Sequence, residues 1–328
     1  MISNQETELK LLPKVETTDS RTGRPISEGA EKWLGVPIKC LDHGFVYLVD
    51  YMGNDEAIEQ AARVSYGRDA RPVSDTQTLL RYLLRNDHTS PFEMASLKFH
   101  AKMPILTARQ WVRHRTAKIN EISGRYSKLP KEYYVPEPEV LAEQSKSNKQ
   151  GRGKALEHDQ ALKKISVIKQ TCEEEYAKYE GLLNDDGTGQ PIRSGEPMVA
   201  REIARGVLGT NFYTEWYWKI DLHNFMHFSK LRTHPHAQYE IRVYAEAMAR
   251  IAKEAFPITW RAFEDYERQA MRLSAVEKKI LAEVLREKGV RVSLPELMTA
   301  AKNAGLTNKR EKEEMAEKWQ ELGLLTDI

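Results

Sequence analysis

Cysteine is scarce in this chain, whose 328 residues include only Cys40 and Cys172. Two cysteines exclude a disulfide framework and any zinc or iron–sulfur site that needs several thiolates. No stretch approaches the roughly 20 consecutive apolar residues of a membrane-spanning helix. The first ten residues also lack the apolar core of a secretory signal peptide. Together these absences predict a reduced, soluble, cytoplasmic protein with no membrane partner.

An excess of charge of either sign is also missing. Lysine and arginine number 50 against 48 acidic residues, which gives a net charge of +2. This balance disfavours a globally basic nucleic-acid-binding protein, so any anion must be bound by a local cluster of cations. The length allows one large domain or two smaller ones.

Hydrophobic patterning predicts both strands and helices along the chain. Alternating or β-prone residues predict strands over 44–50, 96–103 and 212–220. Apolar residues at three- and four-residue steps, together with helix-start signals, predict helices over 55–64, 76–85, 105–115, 156–183, 197–208, 221–231 and 237–256. Residues 142–155 are small, polar and basic, and predict a mobile loop.

The two ends of the chain differ from its middle. Residues 1–36 are polar with little apolar periodicity, which predicts a flexible N-terminal arm. Residues 267–328 read as a C-terminal extension of short helices. Two of these helices open with capping-box patterns, at Ser274–Glu277 and Ser293–Glu296. Gly289 and Gly305 can end them.

The densest group of chemically useful side chains lies at residues 110–126, which hold three arginines, a histidine, a glutamate and a Ser-Gly pair. Guanidinium groups match phosphate oxygens bidentately, and a Ser-Gly turn offers backbone N–H groups to an anion. The alternative is a solvated, charged helix end. The Ser123-Gly124-Arg125-Tyr126 sequence favours the anion site.

Three further segments carry similar side chains. Arg201 and Arg205 lie four residues apart on one helical face, which fits either an anion site or a surface ion-pair stripe. The turn at His88–Glu93 combines hydroxyls, an acid and a proline. His223 and His227 have a spacing that can bind zinc, with Asp221 or His236 as further ligands, but binding of an organic ligand is the favoured reading. No glycine-rich dinucleotide or P-loop motif is present.

Taken together, these segments resemble the flavin-dependent thymidylate synthase family. Its signature is Arg-His-Arg followed after seven residues by serine, found here as Arg113-His114-Arg115 and Ser123. The other segments with family character are Ala61–Ser65, His88–Glu93, Arg201–Arg205, Asp221–Asn224 and Leu231–Gln238. The match covers roughly residues 37–266, which we take as the catalytic domain.

The resemblance implies a mixed α/β (α+β) fold with a central, mostly antiparallel sheet and long helices. It implies a homotetramer in which more than one subunit builds each active site. It also implies FAD as the cofactor and no metal. The reaction would convert dUMP to dTMP, with 5,10-methylenetetrahydrofolate as carbon donor and NADPH as reductant.

Site residues follow from the same match. Arg232 would be the catalytic residue, stabilising negative charge on the pyrimidine. Residues that would bind dUMP are Gln110, Trp111, Val112, Arg113, Glu121, Ile122, Ser123, Gly124, Arg125, Arg205 and Arg232. Residues that would contact FAD are Ser65, Ser90, Arg113, His114, Arg115, Asn120, Glu121, Asp221, Leu222, His223 and His227. Neither cysteine has an adjacent base, which favours a route with no protein nucleophile.

Two other function classes stay open on the sequence. A metal-dependent phosphohydrolase would use Asp221, His223 and His227. A non-enzymatic RNA-binding module would use the cluster from Arg113 to Arg125, although the balanced charge argues against it.

Overall fold

The computed structural model describes residues 25–64, 75–146 and 151–326. The chain divides into two compact units. The first comprises Met1–Asp69 and Thr89–Trp260, and the second comprises Ala70–His88 and Arg261–Ile328. No helix in the described ranges is long and apolar enough to cross a membrane.

A five-stranded antiparallel sheet forms the centre of the first unit. Its strands, in spatial order, are β1 (Ile38–Cys40), β2 (Gly44–Met52), β3 (Ser96–Pro104), β7 (Tyr213–Asp221) and β4 (Lys118–Glu121). In β3 the alternation of apolar and polar residues buries Leu97, Phe99, Ala101 and Met103 on one face. The sequence expectation of an antiparallel sheet in a mixed α/β fold is confirmed.

Helices in the first unit are α1 (Glu28–Glu31), α2 (Asp55–Arg63), α4 (Ser90–Glu93), α5 (Ile105–Trp111), α6 (His158–Leu183), α7 (Arg201–Ala204), α8 (Leu222–Arg232) and α9 (Tyr239–Ala255). Among them α5, α8 and α9 contact the strands of the sheet, whereas α6 packs through Tyr176 and Tyr179 in an apolar cluster with Phe212. Helix α9 buries Ile241, Tyr244, Met248 and Ile251, the residues whose spacing predicted it. The Tyr244 hydroxyl donates to the carbonyl of Lys102 over 2.7 Å and so ties α9 to β3.

Three sequence expectations need correction in this unit. The helix predicted over 105–115 ends at Trp111, because the N–H groups of Arg113 and His114 bond three residues back. The helix predicted over 197–208 is only α7 followed by a 3₁₀ turn at Arg205–Val207. Residues 197–200 are not helical: Ala200, with ψ of 135°, lies before the first residue of α7, and Val199 N–H donates to the carbonyl of Leu182 at the end of α6.

The third correction concerns the predicted loop at 142–155, whose described residues, 142–146 and 151–155, include a ribbon of two paired strands. Its strands are β5 (Ala142–Gln144) and β6 (Arg152–Ala155), paired antiparallel. Arg152 anchors the ribbon, since its guanidinium donates to the carbonyl of Val140 over 3.1 Å.

Most of the predicted N-terminal arm lies outside the described residues, but residues 27–33 at its C-terminal end pack against the rest of the first unit. The hydroxyl of Ser27 donates to the carbonyl of Ala255 over 2.6 Å, and Ala30 and Trp33 are buried. A Cβ on Gly29 would lie only 1.9 Å from the carbonyl oxygen of Glu254. Glycine is therefore required where α1 crosses the end of α9.

The second unit contains α3 (Thr76–Arg85), α11 (Ala275–Glu287), α12 (Leu294–Asn303) and α13 (Lys309–Glu321). The segment that precedes α11 continues from α10 (Pro257–Phe263) through a π-helical turn at Glu264–Arg268. Both predicted capping boxes form, at Ser274–Glu277 and at Ser293–Glu296. Gly289 and Gly305 follow their helices with φ of 69° and 85°, in the left-handed region that glycine tolerates.

An ion-pair network joins α3 to α13 inside the second unit. Arg81 pairs with Glu311 over 2.7 Å, and Arg85 pairs with Glu314. The Tyr266 hydroxyl also donates to Glu311. Glu311 is buried, so these partners compensate its charge. This pairing explains why α3, which precedes the catalytic segments in the sequence, belongs to the C-terminal unit.

Candidate active site

The site begins where α5 ends, at the Arg113-His114-Arg115 turn. Trp111 is fully buried and contacts the rings of Trp216, Trp218, Phe228 and Tyr244, so it fixes the turn to the core. Arg113 and Arg115 are exposed on either side of buried His114. The turn therefore exposes two guanidinium groups to solvent and buries the imidazole between them.

His114 and Arg232 meet although 118 positions separate them. Arg232 Nε donates to His114 Nε2 over 3.0 Å. His114 is only 9% exposed and packs edge-on against Phe228. Burial, together with the nearby charges of Arg232 and His227, lowers the pKa of His114 to about 4. The imidazole is thus neutral at pH 7 and free to accept at Nε2, which places its proton on Nδ1.

Arg232 carries a positive charge that no carboxylate balances within the described ranges. It lies at the C-terminal end of α8 and is half-buried. Burial lowers its pKa, although a guanidinium stays protonated at neutral pH. A partly desolvated cation of this kind attracts negative charge that develops on a ligand.

The guanidinium groups of three exposed arginines, Arg113, Arg115 and Arg205, have no hydrogen-bond or ion-pair partner among the residues with described positions. Arg125 pairs with Glu202 over 3.2 Å, but more than half of each side chain is exposed. Such an exposed ion pair contributes little to stability, so Arg125 can leave Glu202 and bind a more highly charged anion instead. These exposed guanidinium groups are therefore available to anionic ligands.

The Ser123-Gly124 turn brings Arg205 to this cluster. The N–H of Arg125 donates to Ser123 Oγ over 3.3 Å, and the N–H of Tyr126 donates to the Ser123 carbonyl over 3.1 Å. A Cβ on Gly124 would lie 3.3 Å from Arg205 Cδ, so the stem of Arg205 passes directly over the turn. The sequence expectation that these two segments act together fits this contact.

Arg201 has a different environment from Arg205. Its guanidinium donates to Asp185 over 2.7 Å and to the carbonyl of Tyr126 over 3.3 Å. Its charge is therefore already compensated by the protein. Arg201 therefore forms an ion pair within the protein, one of the two roles considered for this segment. Arg205 is the arginine of the two that is available to bind an anion.

Strand β4 and the residue after it carry three further predicted site residues. It pairs with β7 so that Asn120 lies opposite Tyr217 and Glu121 opposite Trp216. Glu121 accepts from the hydroxyl of Thr214 over 2.5 Å, and Ile122 N–H donates to the carbonyl of Glu215. Asn120, Glu121 and Ile122 are exposed, as is Val112 at the end of α5. These residues are accessible to a ligand.

Helix α8 supplies the remaining predicted residues. Asp221 caps it by accepting from the N–H of Asn224 over 2.8 Å, as the sequence predicted. His223 is half-buried, and His227 is exposed with its ring centroid 6.1 Å from that of His114. Leu222 is fully buried, and its N–H donates to the carbonyl of Ala95 just after α4.

Several predicted residues stand apart from the exposed cluster. Trp111 and Leu222 support the site from the core, and their contact with a ligand stays a prediction. Ser90 opens α4 and is exposed. Ser65 lies outside the described residues.

The sequence reading missed two residues beside Gln110. Its Nε2 donates to Oε1 of Gln238, and Gln238 Nε2 donates to Oε2 of Glu240 over 2.8 Å. Glu240 is only 4% exposed. For Gln238 the signal was available, because it ends the Leu231–Gln238 segment of the family resemblance, whereas the burial that distinguishes Glu240 is seen only in the structure.

The thiols and the candidate metal ligands have other roles. Cys40 and Cys172 are buried, and burial raises the pKa of Cys172 to about 11 and also raises the pKa of Cys40. Both are thiols at neutral pH, which removes their nucleophilicity. The carboxylate of Asp221 is held by the amide of Asn224. No group of three ligating side chains occurs among the described residues.

Comparison with known families gives a consistent match. The family model described as Thymidylate synthase complementing protein matches residues 47–258. A flavin-dependent thymidylate synthase of Gluconobacter oxydans (strain 621H) is 49% identical over 295 residues, which cover 90% of this chain and 91% of that protein. One from Rickettsia bellii (strain RML369-C) is 50% identical, covering 76% of this chain and 85% of that protein.

Solved structures share the fold as well. The crystal structure of a UMP/dUMP methylase, PolB, from Streptomyces cacaoi bound with 5-Br dUMP is similar with a TM-score of 0.61 and 34% identity. The aligned region covers 70% of this chain and 99% of the methylase chain. The same methylase bound with 5-Br UMP gives a TM-score of 0.60 and 33% identity.

Proposed function

The chain belongs to the flavin-dependent thymidylate synthase family, and from this membership we propose that it methylates dUMP to dTMP. Its carbon donor is 5,10-methylenetetrahydrofolate, and NADPH supplies the reducing equivalents through FAD. The similarity to a methylase whose title names bound 5-Br dUMP supports the nucleotide substrate.

One observation carries the proposal most strongly, namely the unbalanced charge of Arg232 beside neutral His114. Methylation at a pyrimidine carbon requires negative charge to build up on the ring. Because Arg232 is half-buried and lacks a carboxylate partner within the described ranges, its charge is available to that ring. Its hydrogen bond to His114 orients the guanidinium without neutralising it. Arg232 is therefore the proposed catalytic residue.

The exposed cluster binds the nucleotide monophosphate. Arg125, Arg205 and the Ser123-Gly124 turn take the phosphate, because they combine guanidinium forks with backbone N–H groups. The other residues in the proposed dUMP site are Gln110, Trp111, Val112, Arg113, Glu121, Ile122 and Arg232.

The same region suits FAD, whose pyrophosphate needs cations that the protein has not already paired. Arg113 and Arg115 meet that requirement. Polar and hydrophobic contacts would come from Ser65, Ser90, His114, Asn120, Glu121, Asp221, Leu222, His223 and His227. When bound, FAD supplies hydride and one-carbon transfer chemistry that side chains cannot perform.

A route without a protein nucleophile agrees with the state of both cysteines. Cys40 and Cys172 are buried thiols with raised pKa values. Ser123 Oγ accepts from a backbone N–H and is a binding group in this proposal. The chain's own residues thus bind, orient and stabilise charge.

We extend the proposal to assembly and location. The protein acts in the cytoplasm as a homotetramer with shared active sites. Its catalytic domain spans residues 37–266. It uses no nucleic-acid partner. The arm and the C-terminal helices lie outside this catalytic domain.

The visible absorption spectrum of the purified protein tests the proposal. We expect a yellow protein with a flavin spectrum, which dUMP perturbs because the two sites adjoin. A folded protein that stays colourless after addition of FAD would contradict it. Bound zinc with chelator-sensitive phosphohydrolase activity would instead support the metal-dependent alternative.

A further inference from the structure

A continuous chain of polar side chains runs from Gln110 to the ribbon formed by β5 and β6. Gln110 Nε2 donates to Gln238 Oε1, and Gln238 Nε2 donates to Glu240 Oε2 over 2.8 Å. Oε1 of Glu240 accepts from Arg152 over 2.5 Å and from the Tyr134 hydroxyl over 3.2 Å. Four segments of the first unit thus converge on one buried carboxylate.

The carboxylate of Glu240 sets the direction of this chain, because an ionised carboxylate can only accept hydrogen bonds. Gln238 must therefore turn its amide nitrogen toward Glu240 and its oxygen toward Gln110. Gln110 in turn must offer its nitrogen to Gln238. If either amide rotated by 180°, two oxygens or two nitrogens would face each other. Each amide has one allowed orientation.

The orientation leaves a specific atom of Gln110 unpaired. Its Oε1 is buried and has no donor among the described residues. The nitrogen of the Gln110 amide is thus held by Gln238, and the oxygen of the same amide is presented as a fixed acceptor. A side chain that is held in one rotamer and one orientation loses less entropy when a ligand binds.

We propose that Glu240 is a positioning residue for nucleotide binding, which acts through Gln238 to fix the amide of Gln110. This inference rests on the proposed function, in which Gln110 belongs to the dUMP site. Arg152 and Tyr134 complete the device by satisfying the other oxygen of Glu240. The ribbon of β5 and β6, which contributes no residue to the predicted site, thereby supports the substrate site.

The variant Glu240→Gln tests the proposal, since an amide at this position can donate as well as accept. Gln238 and Gln110 then lose their single orientation. We expect the KM for dUMP to rise about three- to tenfold, the effect of ordering one long polar side chain. We expect kcat to stay within twofold of the parent value and the flavin spectrum to be unchanged. Glu246→Gln, an exposed exchange on the same helix, is the matched control.

A double-mutant cycle separates positioning from general packing. In a Gln110→Ala background, Glu240→Gln should have no further effect on the KM. An equal rise in both backgrounds, or no rise in the parent, overturns the proposal. Gln238→Met, which interrupts the chain without removing a charge, must reproduce the rise if Glu240→Gln fails to fold.

Calorimetric titration of the FAD-loaded variants with dUMP measures the same double-mutant cycle as dissociation constants, without turnover. Parent protein that binds dUMP but forms no dTMP would contradict the proposed function alone. Unchanged affinity of Glu240→Gln for dUMP would contradict the positioning role alone.

Discussion

The Nε atom of Arg232 donates to Nε2 of His114 over 3.0 Å, so a half-buried cation rests on a neutral imidazole. A carboxylate in the place of His114 would hold the guanidinium more tightly but would cancel its charge. The imidazole orients the guanidinium and leaves the charge available to a ligand. This pair is the basis of the catalytic assignment.

Replacement of Arg232 tests that assignment. We expect Arg232→Ala to lose about 10²- to 10³-fold in kcat, the usual cost of removing one preorganised charge-stabilising donor. The flavin spectrum should persist, and dUMP affinity should fall less than tenfold. Steady-state turnover, the spectrum and dUMP titration measure the three effects. Arg250→Ala, an exposed exchange on α9, is the control, and near-parent turnover of Arg232→Ala would remove Arg232 from catalysis.

The lowered pKa of His114 predicts how stability depends on pH. The unfolded chain binds a proton at His114 near pH 6.5, whereas the folded chain binds it only near pH 4. The stabilisation from neutral His114 is therefore complete above about pH 6.5 and is lost as the pH falls toward about 4.

His114→Gln removes the titrating ring but keeps an acceptor for Arg232. We expect this variant to lose less unfolding free energy between pH 7.5 and pH 5 than the parent, as measured by urea denaturation. His236→Gln, at an exposed position, should behave as the parent does. Equal losses in the parent and in His114→Gln would show that His114 does not titrate as described.

The phosphate assignment predicts separate effects for neighbouring arginines. Arg125→Ala and Arg205→Ala should each raise the Kd for dUMP about tenfold or more, because each removes a charge-assisted contact to phosphate. Arg201→Ala should instead lower the melting temperature, because it leaves Asp185 without its partner. Calorimetric titration and thermal unfolding separate the two outcomes. Unchanged dUMP affinity in both Arg125→Ala and Arg205→Ala would contradict the assignment.

The buried thiols predict tolerance of cysteine loss. The double variant Cys40→Ala/Cys172→Ala should keep its turnover within about twofold, while losing about 1 kcal/mol or more of stability for each buried side chain shortened. Dithionitrobenzoate should also react with the native parent only slowly. Loss of dTMP formation by a double variant that remains folded would restore a cysteine nucleophile.

Local patterns in the sequence were enough to predict much of the fold. The alternation at Leu97, Phe99, Ala101 and Met103 determines which face of β3 is buried, and Asp221 caps α8 as its residue type suggests. Helix α9 follows from its three- and four-residue spacing. These features depend on neighbours within one or two turns.

Long-range partners explain what the sequence did not predict. The helix predicted from residue 197 begins only at Arg201, and the preceding segment is placed by a bond from Val199 N–H to the carbonyl of Leu182, a contact that no local rule contains. The contacts of Gln110 with Gln238 and of His114 with Arg232 join residues more than a hundred positions apart. The family match pointed to Arg113, His114 and Arg232, but only the structure shows that His114 is neutral.

Formation of dTMP is the most direct test of the central claim. The FAD-loaded protein is incubated with dUMP, methylenetetrahydrofolate and NADPH, and the nucleotides are separated by chromatography. The account predicts dTMP in the parent, none when FAD has been removed, recovery on adding FAD back, and a severe loss in Arg232→Ala. Absence of dTMP from a folded, FAD-loaded parent that binds dUMP would contradict it.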